Sequence, residues 1–438
     1  MSVSIVSKVH YRLKKQGPFG LFIVSLIKCG VYLQRLGNRF EHGHVGLTTM
    51  PNTVKSHSFP GILEVIRQSY LPSKTPEIEV TEDLQDTIAW IVPHFSRGSG
   101  GHTTLFRFVS GLEKLGLKNK VYILNDMHTV LSGARLKEEI CEYFSPIEGE
   151  VEVITAKDMA RKADIVVCTS WQTAYAAKTW QARRKLYFVQ DYEPFFSPVG
   201  SYYHFAEETY RMGFEFFTAG PWLLKKLKDS FLGTGDFFYL CPDRRVYHPR
   251  SEFTLPELKE HEVKDPLRKI FRIGLYNRAS TPRRCVEIVW VALSILAEHN
   301  RDIIVFTFGD DENRKLPFPH KNLGILNHDE LAEVYSFTDI VIAPSATNLS
   351  LLAREVMACG GVVVDLQGDN TALELHDRSN AILVRPEVAD FHDTIVQLME
   401  CPSILSSLKE SIQKSLNELP NWDSQVEKMF DFVRKIPI

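Results

Sequence analysis

Short apolar runs recur along most of this chain, and each ends in glycine or polar residues that open a stretch of helical spacing. TIAWIVPHF (Thr87–Phe95) predicts a strand running into a turn. SRGSGGHTTLFRFVSGLEKLG, which follows, predicts a glycine-rich turn opening a helix. NKVYILND (119–126) reads as a second strand, and ADIVVCTSWQTAYAA (163–177) joins an apolar strand to a helix starting at Thr169 or Ser170. RKLYFVQDYEPFF (184–196) ends a strand in polar and aromatic residues, and GFEFFTAGPWLLKKL (213–227) repeats the strand-to-helix step. Near-continuous apolar runs, in place of strict alternation, indicate parallel strands covered on both faces.

The rhythm breaks at PDRRVYHPRSEFTLPELKEHEVKDPLR (242–268), which is dense in charge and proline, and then restarts. The second run contains KIFRIGLYNR (269–278), a helix across 283–298, DIIVFTFGDD (302–311), NLGIL (322–326) and a helix near 328–337. DIVIAPS (339–345), a helix over 350–358, GGVVVDL (360–366) and NAILVRP (380–386) complete it, and three helices close the chain. The expected class is α/β, with two Rossmann-like domains facing across a cleft and a C-terminal helical segment. The expected boundaries are 1–84 for an N-terminal helix and wrapping segment, 85–245 for the first domain, and 246–268 for a linker. The second domain takes 269–405, and the helices of 406–438 pack back toward the first domain.

A length of 438 residues suits two domains, and 44% hydrophobic with 24% charged residues reads as a soluble globular chain. A net charge of -3 gives no general case for binding nucleic acid. Seven cysteines without CxxC spacing argue against a disulfide framework or a zinc site and fit a reducing cytoplasm. Residues 1–40 change the picture: they hold no acid, Lys8, Arg12, Lys14, Lys15, Arg35 and Arg39 flank PFGLFIVSLIKCGVYL (18–33), and Lys28 interrupts it. Three readings stay open: a helix docked on the protein body, an interfacial helix whose bases meet anionic headgroups, and a spanning segment. The second would give peripheral membrane contact through residues 8–39, at the inner face of the cytoplasmic membrane. Oligomeric state is not legible.

Candidate chemistry gathers at the predicted strand ends. In VQDYEPFF, Gln190, Asp191 and Glu193 leave a buried strand among Tyr192, Phe195 and Phe196. Carboxylates bordered by aromatic faces suit carbohydrate, whose C–H faces stack while its hydroxyls hydrogen-bond. Asp191 is the best polar candidate near a reacting centre, with fixing an interdomain loop as its plainer role. RGSGGHTT (97–104) lacks both the dinucleotide fingerprint and the Lys of a P-loop. Gly98, Gly100 and Gly101 let that loop approach a ligand or simply turn, and His102 faces the cleft or serves as a cap or surface residue. Asp310 and Asp311 suggest a metal, but paired acids on a strand-end loop are commonly solvated. In NLSLLAREVMACGGVVVDL (348–366), Glu355 stands inside an apolar helix just before Gly360 and Gly361. Such a charge is paired, with Arg354 or another base, or holds a ligand.

Together YFVQDYEPFF (187–196), IGLYNRASTPRR (273–284), FGDD (308–311) and APSATNLSLLAREVMACGGVVV (343–364) resemble retaining glycosyltransferases of the GT-B fold, family 4. Within that family the chain resembles rhamnosyltransferases of the WsaF type, which use dTDP-L-rhamnose to build bacterial surface glycans. The resemblance covers roughly 85–438. It implies that Glu355 matches the second glutamate of the family's donor motif and binds the nucleotide ribose hydroxyls. The first glutamate's position holds Thr347, a departure that leaves Thr347 or Asn348 to bond the transferred sugar. The residues agree with that placement. A loop at 346–350 opening a helix presents N–H groups of Ser350, Leu351 and Leu352 to a pyrophosphate. Where the family supplies an Arg and a Lys, this chain offers Arg278, Arg283 and Arg284, of which Arg278 and Arg283 are first choices. Their plainer role is a solvated helix start. NLGIL resembles the base-binding turn, with backbone groups of Gly324 and Ile325 reading a pyrimidine edge, and Tyr276 shapes the donor pocket.

The implied reaction is retaining transfer of L-rhamnose from dTDP-β-L-rhamnose to a rhamnose-containing, lipid-linked surface glycan, with no cofactor and no essential metal. Two rivals remain: the same fold using a UDP- or GDP-sugar, and a noncatalytic scaffold of that fold. An NAD-dependent enzyme fits poorly, because neither half carries GxGxxG.

Overall fold

β1 (Thr87–Pro93) sits inside a seven-stranded sheet with β2 (Lys118–Leu124) on one side and β4 (Lys162–Cys168) on the other. β3 (Val151–Ile154) extends the sheet beyond β2, while β5 (Gln181–Val189), β6 (Glu215–Ala219) and β7 (Gly235–Phe238) continue it beyond β4. All pairings in this sheet are parallel. This computed structural model describes residues 59, 61–71, 87–126, 131–261, 270–299, 302–312 and 314–435. The basic segment 8–39, with its three readings, lies outside the described residues. Among the described residues no helix is long and apolar enough to cross a membrane.

The second sheet repeats the arrangement around β8 (Phe271–Tyr276). β9 (Ile303–Phe308) and then β10 (His320–Asn322) lie to one side, and β11 (Ile340–Ile342), β12 (Val363–Leu366) and β13 (Ile382–Val384) to the other. Every pairing here is parallel too. Helices cover both sheets, so the central strands are apolar on both faces; β9 is buried at all six positions. In both sheets the chain order reverses beside the first strand, β1 or β8. Loops on opposite sides of such a point diverge and leave a crevice at the carboxyl ends.

The two cores divide the chain differently from the sequence expectation. The first core holds residues from Val65 to Cys241 and takes in Trp422, Val426, Met429, Phe432 and Val433 of the last helix, Trp422–Arg434. The second holds residues from Tyr247 to Leu416, including Leu408, Ile412 and Leu416 of the helix Pro402–Glu418. Of the closing helices, the last one alone lines the first core. The stretch read as wrapping segment contains a helix, Ile62–Ser69, whose Val65 and Ile66 are buried in the first core. NLGIL gives only Asn322 to β10, and its other four residues form the turn that follows.

Candidate functional site

The glycine-rich loop after β1 feeds the helix Gly100–Lys114, whose start is tied to the end of β5: Gln190 Nε2 donates to the Gly101 carbonyl at 3.0 Å. A Cβ on Gly101 would lie 3.5 Å from that same nitrogen, an ordinary van der Waals contact, so the approach does not itself require glycine. His102 does not face the cleft freely. Its Nδ1 is 2.7 Å from Ser99 Oγ, its ring lies among Phe95, Phe106 and Phe144, and burial drives its pKa down to about 4. It is a neutral cap over an aromatic cluster.

Beyond β5 the chain carries the clearest contact between the two domains. Thr347 Oγ1 donates to Asp191 Oδ2 at 2.8 Å, and Asn348 Nδ2 donates to the Gln190 carbonyl at 2.7 Å. Both side chains are buried, Thr347 at 2% and Asn348 at 5% exposure. These two were expected to bond the transferred sugar; instead their polar groups are engaged by the first domain. Arg283 Nε lies 3.6 Å from Asp191 Oδ2, an ion pair beyond hydrogen-bond reach. Burial raises the Asp191 pKa, against the pull of Arg283 and the Thr347 hydrogen bond. Glu193, also placed at the acceptor side in sequence, is buried and structural. It accepts from Trp171 N at 2.7 Å and Tyr187 Oη at 3.2 Å, capping the helix Trp171–Lys178 from outside, and burial pushes its pKa up to about 8. Phe195 and Phe196 next to it stay exposed, at 44% and 43%.

Three arginines crowd the loop after β8. Arg283 stacks on Phe196 at 4.2 Å, Arg284 on Tyr276 at 5.2 Å, and Arg278 Nη1 donates to Tyr276 Oη at 3.4 Å. Burial depresses the Arg283 pKa, Asp191 opposes that, and Arg284 and Arg278 add repulsion. Arg283 Nε and Arg284 Nη1 are buried without a hydrogen-bond partner. Arg284, passed over as a first choice, therefore has the stronger unmet demand. The Arg283 carbonyl accepts from Ala346 N at 3.0 Å, joining this loop to the loop that opens the helix Leu351–Ala358. Ser350 begins that helix with no side-chain cap. Leu352 is buried in the second core and Leu351 packs on the first, so these side chains seat the helix between domains and leave only their N–H groups for a ligand.

One turn on, Glu355 is not paired with Arg354. That arginine makes a buried ion pair with Glu374 at 3.1 Å. Burial pushes the Glu355 pKa up to about 7, against a hydrogen bond from Tyr247 and the charge of Arg107. Tyr247 Oη also lies 2.8 Å from His328 Nδ1. Arg107, from the first domain, stacks on Trp422 at 4.7 Å and lies 3.8 Å from Asp243. Sequence reasoning missed this surround: Tyr247 lies in the stretch read as a boundary, and Arg107 is an ordinary helix position.

The base-reading turn is partly spent. Ile325 N donates to Asp311 Oδ1 at 3.0 Å and Gly309 N donates to the Gly324 carbonyl at 2.8 Å, so the Ile325 N–H is taken while the Gly324 carbonyl keeps one lone pair for a further donor. Gly324 has φ +69, and a Cβ there would meet Asp311 Oδ1 at 2.9 Å. Asp310 accepts from Glu312 N at 2.9 Å and lies 3.7 Å from Arg314. Both acids thus hold the loop. Among the described residues no group of three or more His, Cys, Asp or Glu is placed to hold a metal.

Comparison with known proteins bears on the fold. No family model matches the chain. O-antigen biosynthesis protein RfbC of Myxococcus xanthus is 26% identical over 353 residues, 78% of this chain and 26% of that protein. The chain therefore spans about a quarter of that relative's length. Among solved structures, Anabaena Alr3699/HepE in complex with UDP-glucose superposes with a TM-score of 0.60 at 15% identity, over 80% of this chain and 100% of that one. Sucrose-phosphate synthase from Thermosynechococcus elongatus gives 0.59 at 13% identity, over 80% and 98%. The chain has the GT-B fold: two Rossmann-like domains facing across a cleft, closed by C-terminal helices.

Proposed function

We propose that this chain is a glycosyltransferase that moves a sugar from a nucleoside diphosphate to a surface glycan. The carrying observation is the pair of buried guanidinium nitrogens without hydrogen-bond partners, Arg283 Nε and Arg284 Nη1, in a loop bonded to the one that opens the uncapped helix Leu351–Ala358. A diphosphate satisfies donors of this kind, accepting from guanidinium and helix N–H groups together. Glu355 then accepts from the hydroxyls of the nucleoside's sugar ring.

The donor has two readings. A carboxylate offers two oxygens, which the 2′,3′-diol of a UDP- or GDP-sugar engages together, and the HepE structure holds UDP-glucose. The resemblance to WsaF-type rhamnosyltransferases supports dTDP-L-rhamnose, which presents only the 3′-hydroxyl. A glycan acceptor, lipid-linked in the resembled family, is supported by the description of the Myxococcus protein.

In the transfer, the bond from the anomeric carbon to the diphosphate breaks and a bond to the acceptor oxygen forms. The acceptor's proton leaves with the diphosphate. Arg283, Arg284 and the helix N-terminus stabilise the charge on the leaving group, and the facing domains limit access of water. Retention of configuration is carried by the family resemblance, and the reading uses no metal. Calorimetric titration with UDP, GDP and dTDP, on wild type and Arg284→Ala, tests it. Binding of one nucleotide, weakened at least ~10-fold by the substitution, supports the diphosphate site. No binding of any of the three favours the noncatalytic scaffold.

A further inference from the structure

We propose that Thr347 is a positioning residue that fixes the Asp191 carboxylate across the cleft, so that the first domain's acid is correctly aimed only when the domains are closed. This rests on the transferase reading given above. The Gln190–Asp191 pair is a junction of three pieces of backbone. From its own domain, Gln190 Nε2 holds the Gly101 carbonyl at 3.0 Å, which sets the glycine-rich loop. From the second domain, Asn348 Nδ2 holds the Gln190 carbonyl at 2.7 Å and Thr347 Oγ1 holds Asp191 Oδ2 at 2.8 Å. Asp191 Oδ1 accepts from the Tyr192 backbone N–H at 2.8 Å, so both carboxylate oxygens are engaged and the plane of the group is set.

The cation facing this carboxylate does not fix it. Arg283 approaches Oδ2 only to 3.6 Å, stacks on Phe196, and is the group that a diphosphate would claim. When it turns to the leaving group, Thr347 is what still holds Asp191 from the opposite side. Thr347 is 2% exposed, so its hydroxyl is turned to the other domain and not to bulk water. With the domains apart, Oδ2 loses this partner and the carboxylate is free to rotate about its side-chain bonds. An acid aimed in this way orients a hydroxyl of the acceptor or of the transferred sugar.

The test compares Thr347→Val, which keeps the shape and removes the donor, with Thr347→Ser, which keeps the donor. With the nucleotide sugar that wild type turns over, Thr347→Val is expected to lower kcat ~10- to 100-fold while donor Kd, by calorimetry, stays within about twofold. Thr347→Ser restores kcat to within about threefold of wild type. An unchanged kcat in Thr347→Val, a donor Kd that weakens in step with kcat, or a serine variant as slow as the valine variant each overturns the proposal. Closure is read separately, without any substrate, by small-angle scattering of the full chain. The double variant Thr347→Val/Asn348→Ala is expected to have a larger radius of gyration than wild type, and an unchanged radius overturns the clasp. A failure of wild type to bind any nucleotide would instead overturn the transferase reading, leaving the scattering result to decide the clasp.

Discussion

Glu355 is an acid kept half-protonated at neutral pH by its surroundings, since burial pushes its pKa up to about 7 despite Tyr247 and Arg107. The folded value lies above the unfolded one, so this group's contribution to stability is fully present below pH 4.5, the unfolded value, and is lost as pH rises through about 7. Glu355→Gln removes the cost of ionising in the fold. The variant is expected to be more stable than wild type at pH 8, by about 1–3 kcal/mol, with the difference shrinking toward pH 4.5; chemical denaturation at both pH values checks this. Nucleotide affinity moves the other way, because the carboxylate is the better acceptor: wild-type affinity should fall as pH drops through about 7, and Glu355→Gln should bind weakly at every pH. A variant that gained stability and kept its affinity would remove Glu355 from the nucleotide site. Glu355 was legible because one acid in an apolar helix before two glycines is conspicuous in a bare sequence. The fates of Thr347 and Asn348 were not. What a polar side chain at a strand end meets is set by the facing domain, and Asp191 stands 156 positions earlier in the chain.

Elements with strong apolar character read directly from sequence, and those at sheet edges did not. β3 and β7 are short, and β3 is only partly buried over its first three residues, so Glu152 and its neighbours carry no strand signal. The helix Trp171–Lys178 begins next to the expected start at Thr169 or Ser170, and Ser170 caps it by accepting from Thr173 N. Its second support was invisible, because Glu193 reaches Trp171 N from 22 residues away. This cap gives an expectation at the level of the element. Glu193→Ala leaves a buried N–H and the Tyr187 hydroxyl without acceptors, at a cost of about 2–4 kcal/mol, while nucleotide affinity is unchanged. Glu193→Gln keeps an acceptor for Trp171 N and turns an amide N–H toward the Tyr187 hydroxyl oxygen, and should cost less than half as much. Thermal unfolding and one nucleotide titration for each variant check the pair, and loss of affinity in Glu193→Gln would give this residue a part in the donor site.

At the scale of the molecule, the two-domain plan follows from two strand-and-helix runs separated by a charged, proline-rich stretch. The chain's return to the first domain is a different matter, since an amphipathic helix does not record which core it covers. Only residues 419–421 separate the helix Pro402–Glu418, packed in the second core, from Trp422–Arg434, packed in the first. Arg184, 3% exposed on β5, fastens the end of that last helix. Its Nη1 donates to the carbonyls of Phe432 at 2.6 Å, Val433 at 2.9 Å and Lys435 at 3.1 Å, while Nε and Nη2 grip Glu215. A guanidinium there satisfies carbonyls that the helix cannot pair and meets the negative end of its dipole. Because the fastened helix lines the first core and is joined by three residues to the second, the two domains should unfold together. Arg184→Met leaves three carbonyls and Glu215 unmatched, destabilising the first domain by about 3 kcal/mol. It also loosens the tie between domains. Calorimetry should therefore show one transition in wild type and, in the variant, a first-domain transition moved to lower temperature and separated from the second. A single transition merely shifted downward would mean that the contacts at Thr347 and Asn348 couple the domains without help from the last helix.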